Sequence, residues 1–375
     1  MKIQPFATEQ YYARYEFSTP HLLSVSDCET ISIGELLQMA NVSLEKMGQV
    51  RLGYTESQGN PVLREAVANT YDKVSAEQVI ILTSPVEGIY LTLQAMLEPE
   101  DEVIVLVPAY DALINVAEHV SRHVQRWEIV PTATGWQLDL DKLAALVNPK
   151  TKLIVVNFPH NPTGYLPTRS QFDTIIELAR KEGVWLFCDE MYRGLEHGGR
   201  PQLPSAADSY ERSIVLSGLS KTHGLPGLRA GWLVIPDEEV RQAIINWKHY
   251  TTICPAAPTE FLALAALDIG EELAQRSQTL IRQNLQLAET FFAQWQDFFN
   301  WRPPIAGSVA LVGIDVTSAT SYCHHLAQAA GVLLLPATFM GSDDQHVRFG
   351  FGRRSFPSAL SHYDTYLKQA MAMMG

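Results

Sequence analysis

Basic residues are scarce in this chain. Lys and Arg number 28 against 41 Asp and Glu, a formal net charge of −13 over 375 residues. A surface that tracks a nucleic-acid backbone needs the opposite balance, because Lys and Arg neutralise its phosphates. Nucleic acid is therefore not an expected partner, although a local basic pocket for one small anion is compatible with the total. Cysteine is sparse as well. Cys28, Cys188, Cys254 and Cys323 are scattered, with no CxxC pair. That spacing speaks against a disulfide framework or a zinc site, and the expectation is reduced thiols, no metal and a cytoplasmic location. No window approaches the roughly 18 uninterrupted apolar residues that cross a bilayer. The opening residues, MKIQPFATEQYYARYEF, lack the apolar stretch of a signal peptide. No membrane partner is expected. Only 18% of residues are charged, with 23 Gly and 21 Pro, which excludes disordered and fibrous classes.

What is present is apolar residue in quantity, 46% of the chain, enough for a large core and for two domains. There is no internal repeat, low-complexity tract or long linker. From about residue 60 to 235, short β-rich runs alternate with amphipathic segments. The pattern predicts helices over Pro61–Val74, Glu87–Leu97 and Ser170–Glu182, the last with Phe172, Ile175, Ile176 and Ala179 on one face. Strands are predicted at Val79–Leu82, Glu102–Val107, Lys152–Asn157, Val184–Asp189, Ser213–Ser217 and Ala230–Ile235. Strands apolar at every position and separated by helices imply an α/β fold, with a mostly parallel sheet covered on both faces. Past about residue 255 the texture changes. A long helix is expected from about Glu272 to Phe299, then smaller α+β elements at Val309–Val316, Val332–Leu335 and Val347–Phe351, and a C-terminal helix. The reading is a large α/β domain over about residues 45–255 and a smaller α+β domain built from residues 1–44 and 256–375.

In such sheets, ligands sit beyond the carboxyl ends of the strands, which directs attention to three post-strand segments. Ser217-Gly-Leu-Ser-Lys221 places a lysine just after an apolar strand, where a buried ammonium is costly to leave unpaired. Arg229 follows in a glycine-rich stretch, so the segment offers an amine nucleophile and a planar anion clamp. Phe187-Cys-Asp189-Glu-Met-Tyr192 puts a carboxylate at the end of an otherwise apolar strand. Asn157-Phe-Pro-His-Asn161-Pro-Thr-Gly164 is a turn-rich segment after the preceding strand. Each alone has an ordinary explanation: solvated surface cations, a helix cap, a plain loop.

Together, Asn161–Gly164 (NPTG), Asp189–Tyr192 (DEMY) and Ser220-Lys221 with GLPGLR ending at Arg229 resemble the class I/II aminotransferases of fold type I. Tyr54-Thr-Glu-Ser-Gln-Gly59-Asn-Pro-Val-Leu-Arg64, Pro108-Ala-Tyr110 and Val347-Arg348-Phe-Gly-Phe fit the same order, so the resemblance spans about Tyr54 to Gly352. It implies pyridoxal 5′-phosphate as cofactor, amino acid and 2-oxo acid substrates, and a homodimer with shared sites. By the same resemblance, Lys221 forms the Schiff base and moves the Cα proton. Asp189 faces the pyridine nitrogen and favours its protonated form. Asn161 and Tyr192 bond the ring's 3-oxygen, Tyr110 stacks on the ring, and Arg229 takes the phosphate. Arg348 takes the substrate α-carboxylate, with Asn161 beside it, and Tyr54 reaches the neighbouring subunit's phosphate.

Two positions depart from the family pattern. The phosphate loop reads Ser84-Pro85-Val86 where Gly-Ala/Ser-x is common, and proline has no N–H to give. The Val86 amide and Ser84 remain as donors. Three residues before the lysine stands Gly218 instead of a phosphate-binding serine, so Ser220, Thr222 or His223 is called on to compensate and Arg229 carries a larger share. Other eye-catching residues are expected to be structural: His324-His325 as no metal pair, Cys188 as a core thiol, Arg353 and Arg354 as solvated cations, and His160 as either a loop residue or a site wall. The expected activity is transfer of an amino group from an L-amino acid to a 2-oxo acid. The alternatives are a lyase or cyclising synthase on the same cofactor, which would share these residues, and a non-catalytic cofactor-binding module.

Overall fold

The computed structural model describes residues 2–374. Its strands, in chain order, are β1 (His21–Leu22), β2 (Val79–Leu82), β3 (Glu102–Val107), β4 (His123–Pro131), β5 (Trp136–Leu138), β6 (Thr151–Asn157), β7 (Trp185–Asp189), β8 (Ser213–Gly218), β9 (Gly231–Val234), β10 (Phe299–Asn300), β11 (Val309–Ile314), β12 (Val332–Leu333), β13 (Leu335–Pro336) and β14 (His346–Gly350). Eight of them form one sheet in the order β2-β9-β8-β7-β6-β3-β4-β5. Pairs β8–β7, β7–β6, β6–β3 and β3–β4 are parallel. Strand β9 runs antiparallel to both β2 and β8, and β5 runs antiparallel to β4. The carboxyl ends of β2, β3, β6, β7 and β8 therefore open on one side.

The continuous apolar runs follow from burial on both faces. Within β2, Val79 and Ile81 enter one hydrophobic cluster while Ile80 and Leu82 enter another, the alternation that a pleated strand imposes. Strand β3 divides the same way, Ile104 and Leu106 against Val103, Val105 and Val107. One face is covered by the helix Arg169–Glu182, whose buried residues are Phe172, Ile175, Ile176 and Ala179. That helix starts in a Thr168/Gln171 capping box and stops at Gly183, which takes the left-handed conformation (φ 69°). The other face is covered by the helix Pro85–Met96, through Ile89, Leu93 and Met96.

Several expected boundaries move. The helix beginning at Pro61 ends at Ala68, capped by Asn69, and does not reach Val74. The long C-terminal helix spans Gly270–Gln294, and Phe299 belongs to β10. Strands β4 and β5 carry no strong apolar signal because they close the sheet's edge. Along β4 only Trp127 and Ile129 are buried; its first six residues pair with β3 alone and β5 covers only its last three, so most of the strand faces solvent.

A second, four-stranded antiparallel sheet has the order β10-β11-β14-β13. The N-terminal segment joins this part of the chain. Strand β1 pairs in parallel with β12, and the Gly350 amide donates to the Leu23 carbonyl at 2.8 Å. Tyr11 and Tyr15 of the N-terminal helix Ala7–Tyr15 enter the cluster beneath the small sheet. Contact at Gly350 is close: a Cβ there would stand 1.8 Å from the Val25 carbonyl oxygen. Gly350→Ala is expected to destabilise the fold by about 1–3 kcal/mol, read as a lower melting temperature. Gly135→Ala, where an added Cβ meets nothing within 4 Å, serves as the neutral control.

Candidate active site

The strand ends surround a cavity of about 530 Å³. Strand β3 leads to Tyr110, β6 to Asn161, β7 ends at Asp189, and β8 leads to Ser220 and Lys221. The helix after β2 contributes Pro85 and Val86, and the loop before β9 contributes Arg229. The facing wall comes from the N-terminal segment, with Glu9, Tyr12, Glu16, Ser26 and Asp27, and from Arg348 on β14.

Asn157 sets the floor. Facing Asp189 in the β6–β7 register, it donates to the Asp189 carbonyl at 2.8 Å and accepts from the Asn161 amide at 2.7 Å. The Asp189 carboxylate is buried and accepts from the Met191 amide at 3.0 Å. Burial pushes its pKa up to about 6, against the opposing pull of that amide and of the Lys221 charge. The Lys221 ammonium donates to Ser26 Oγ at 2.7 Å. Burial lowers its pKa, Asp27 opposes that shift and Arg348 adds to it. Tyr192 OH and Ser220 Oγ, both buried, have no hydrogen-bond partner, an expensive arrangement for a protein to keep unless a ligand supplies the partner.

Arg348 is 2% exposed. It donates to the Ser24 carbonyl at 3.0 and 3.2 Å, to Asn161 Oδ1 at 3.0 Å and to Tyr12 OH at 2.8 Å. Tyr110 packs its ring on Phe6, centroids 5.2 Å apart, and donates to Glu9 at 2.8 Å. Arg229 is a non-glycine residue with φ 53°, following the turn Pro226–Leu228, and its guanidinium donates to the Pro226 carbonyl at 2.8 Å. Backbone in that region is seldom adopted by arginine and points to a functional constraint.

Of the residues singled out in the sequence, Val86, Tyr110, Asn161, Asp189, Tyr192, Ser220, Lys221, Arg229 and Arg348 meet at this cavity. Two do not. Ser84 caps the helix Pro85–Met96, accepting from the Glu87 amide, and lies outside the cavity lining. Tyr54 is 91% exposed and stands away from its own chain's cavity. Thr222 is turned aside to the Arg193 carbonyl, and His223 is half-buried, its pKa pulled down to about 4 by desolvation of its ring. Neither lines the cavity, so of the three compensating candidates only Ser220 is in place. His160 also stays outside. It is held by Thr163 at 2.7 Å and burial lowers its pKa to about 3. Arg353 is not a solvated cation: it pairs with Asp27 at the cavity wall.

The sequence reading missed the facing wall. Tyr12, Ser24, Ser26 and Asp27 sit upstream of every recognisable motif; Tyr12 shares a helical spacing with Glu9 and Glu16, and Ser24, Ser26 and Asp27, outside any helix or strand, carry no periodic signal. The two phosphate-loop departures have one cause. A Cβ at Gly218 would lie 2.8 Å from the Ala230 carbonyl oxygen, 3.0 Å from Gly231 Cα and 3.0 Å from Pro85 Cγ. The proline ring and the neighbouring strand fill the space a serine side chain would need.

Comparison with known proteins decides the family. The model for aminotransferase class I and II matches residues 23–358. This chain belongs to that family. Among curated proteins it is 29% identical to the capreomycidine synthase of Streptomyces vinaceus, over 88% of this chain and 84% of the relative. Among solved structures it superposes on a pyridoxal-phosphate-dependent aminotransferase of Streptococcus suis with TM-score 0.91 and 27% identity, covering 98% of this chain and 99% of that one. It matches the pyridoxal-phosphate-dependent cyclase OrfR equally, TM-score 0.91 at 27% identity, over 99% and 98%.

The chain is thus an enzyme of fold type I, and its cofactor is pyridoxal 5′-phosphate. The site fits that group on its own terms. Lys221 offers an amine, Asp189 a buried carboxylate for a cationic ring nitrogen, and Tyr192 an unsatisfied hydroxyl for the ring oxygen. Arg229, Ser220 and the Val86 amide at a helix N-terminus could hold the phosphate. Because burial lifts Asp189 to about 6, its carboxyl takes up a proton as pH falls through that value, and a neutral carboxyl no longer pairs with a cationic ring. Cofactor affinity of the stripped protein is expected to weaken between neutral pH and one unit below that value. In Asp189→Asn the affinity should be weaker at neutral pH and flat across the interval.

Proposed function

We propose that this enzyme moves the amino group of an L-amino acid to a 2-oxo acid, with Lys221 as the residue that carries the cofactor and handles the Cα proton. One observation supports the reading above the others: a fully buried, hydrogen-bonded Arg348 lines the same cavity as Lys221. A guanidinium there attracts an α-carboxylate, which would take over the donors now given to Tyr12 and Asn161, and a substrate so anchored presents its Cα to the lysine. The cofactor supplies the electron sink that makes the Cα–H bond acidic. Lysine action at that carbon needs a neutral amine, and burial lowers the Lys221 pKa in that direction.

The remaining assignments follow the same reading. Asp189 keeps the ring nitrogen protonated, Tyr192 and Asn161 tune the ring oxygen side, and Tyr110 covers the ring. Asn161 also steadies Arg348 through its Oδ1. Arg229, Ser220 and Val86 take the phosphate, with Pro85 leaving the cup one donor short. Exposed Tyr54 reaches the neighbouring subunit's cofactor in a homodimer.

A second reading, a ring-closing synthase, is favoured by the likeness to capreomycidine synthase and to the cyclase OrfR. The two separate by stoichiometry. The loaded enzyme is given single amino acids without an acceptor. Transamination predicts one equivalent of 2-oxo acid per site, conversion of the cofactor to its amine form, and reversal by an added 2-oxo acid. Cyclisation predicts many turnovers with no acceptor and a cyclic product. Arg229→Ala is expected to weaken cofactor binding about 10- to 100-fold, the worth of a charge-assisted hydrogen bond. Binding as tight as wild type would remove Arg229 from the phosphate site.

A further inference from the structure

The N-terminal helix presents Glu9, Tyr12 and Glu16 at spacings of three and four residues, one stripe on one helical face. All three line the active-site cavity, and Asp27 on the following loop lines it with them. Their charges are not equally satisfied. Asp27 is paired with Arg353. Glu9 accepts only the neutral Tyr110 hydroxyl. Glu16 has no side-chain partner, and no cation lies within ion-pair distance of Glu9 or Glu16 among the described residues. Burial, with repulsion from Asp27 and Glu9, raises the Glu16 pKa against the opposing pull of the Arg353 and Lys221 charges, neither of which forms an ion pair with it.

The cavity's cations are otherwise committed. On the function proposed above, Arg348 takes the substrate carboxylate, Lys221 serves the Cα and Arg229 serves the phosphate. Arg353 is held by Asp27, which leaves no guanidinium for a second substrate carboxylate. Tyr12 ties the stripe to the anchoring group, since its hydroxyl accepts from Arg348 at 2.8 Å. The acidic stripe is therefore the wall beside the substrate anchor. The same cavity holds the buried, unpartnered Tyr192 OH and Ser220 Oγ, which the proposed function gives to the cofactor, so the stripe faces a cavity marked as a ligand site.

We infer that this wall is a side-chain subsite for an α-amino acid with a cationic side chain, an ammonium or a guanidinium, with Glu16 as its principal counter-charge and Glu9 as its second. Selectivity comes from both signs. A cation supplies the partner Glu16 lacks, and a dicarboxylic amino acid brings like charge against Glu16, Glu9 and Asp27. Neutral side chains gain neither effect. This inference rests on the function proposed above, because it needs Arg348 to hold the carboxylate.

The test is a binding measurement that needs no turnover. In the cofactor-loaded Lys221→Ala protein, dissociation constants are measured by calorimetry for L-arginine, L-lysine, L-norleucine and L-aspartate. The expected order is arginine and lysine tightest, norleucine weaker and aspartate weakest. Glu16→Gln should weaken arginine and lysine by about tenfold or more, the worth of a charged hydrogen bond, and Glu9→Gln/Glu16→Gln further still, with norleucine unchanged or tighter. Aspartate or norleucine binding as tightly as arginine would overturn the inference, as would a Glu16→Gln loss equal for all four ligands, which marks a structural role. If none of the four binds, and none perturbs the wild-type cofactor spectrum, the proposed function fails and this subsite with it. If all bind without discrimination, only the subsite fails.

Discussion

Arg348 holds three parts of the chain in one place. Its guanidinium is buried, and moving such a group out of water is affordable only when its donors are satisfied. Here they reach the Ser24 carbonyl, the Tyr12 hydroxyl and Asn161 Oδ1. One partner set belongs to the N-terminal segment and another to the loop after β6, while Arg348 itself sits on β14 of the small sheet. The cavity exists because these elements meet. The N-terminal segment is fixed further along its length, by β1 pairing with β12 and by the Gly350–Leu23 hydrogen bond. Ser26 is thereby held against Lys221, and the acidic face of the N-terminal helix is held against the cavity.

Opposite this wall the large sheet supplies fixed points at its strand ends. Asp189 and Asn157 are placed by neighbouring parallel strands, so their spacing is set by the sheet, and Lys221 stands in the turn three residues beyond the next strand. The phosphate side shows how a change in one residue forces another. Pro85 occupies the space beside Gly218 and Gly231, which removes one amide donor and also excludes a serine three residues before the lysine. What remains is Ser220, the Val86 amide and Arg229 in its left-handed conformation.

Much of this half of the site was legible in the sequence. Strands buried on both faces advertise themselves as apolar runs, and Val79–Leu82 and Glu102–Val107 fall where the pattern puts them. The residues just beyond such strands are the ones the proposed function uses, and nine of those singled out meet in one cavity. The facing wall was not legible, for a physical reason. Tyr12, Ser26 and Asp27 act through tertiary contacts with residues more than 190 positions away: Tyr12 with Arg348, Ser26 with Lys221 and Asp27 with Arg353. No local periodicity encodes such pairings. The largely polar strand β4 escaped notice because little of it is buried, and Arg353 read as a surface cation because its partner lies in the same distant segment.

The central claim is that Lys221 is the cofactor-bearing residue. It is a sharp claim because the fold contains another secluded lysine, the fully buried Lys248, which donates to Thr252 at 2.8 Å near Glu87 and lies outside the cavity lining. The most direct measurement is borohydride reduction of the purified enzyme loaded with pyridoxal phosphate, followed by peptide mass mapping. The account predicts a single stable adduct on the peptide carrying Lys221, lost in Lys221→Ala. An adduct on Lys248, or no site-specific adduct at all, would contradict it.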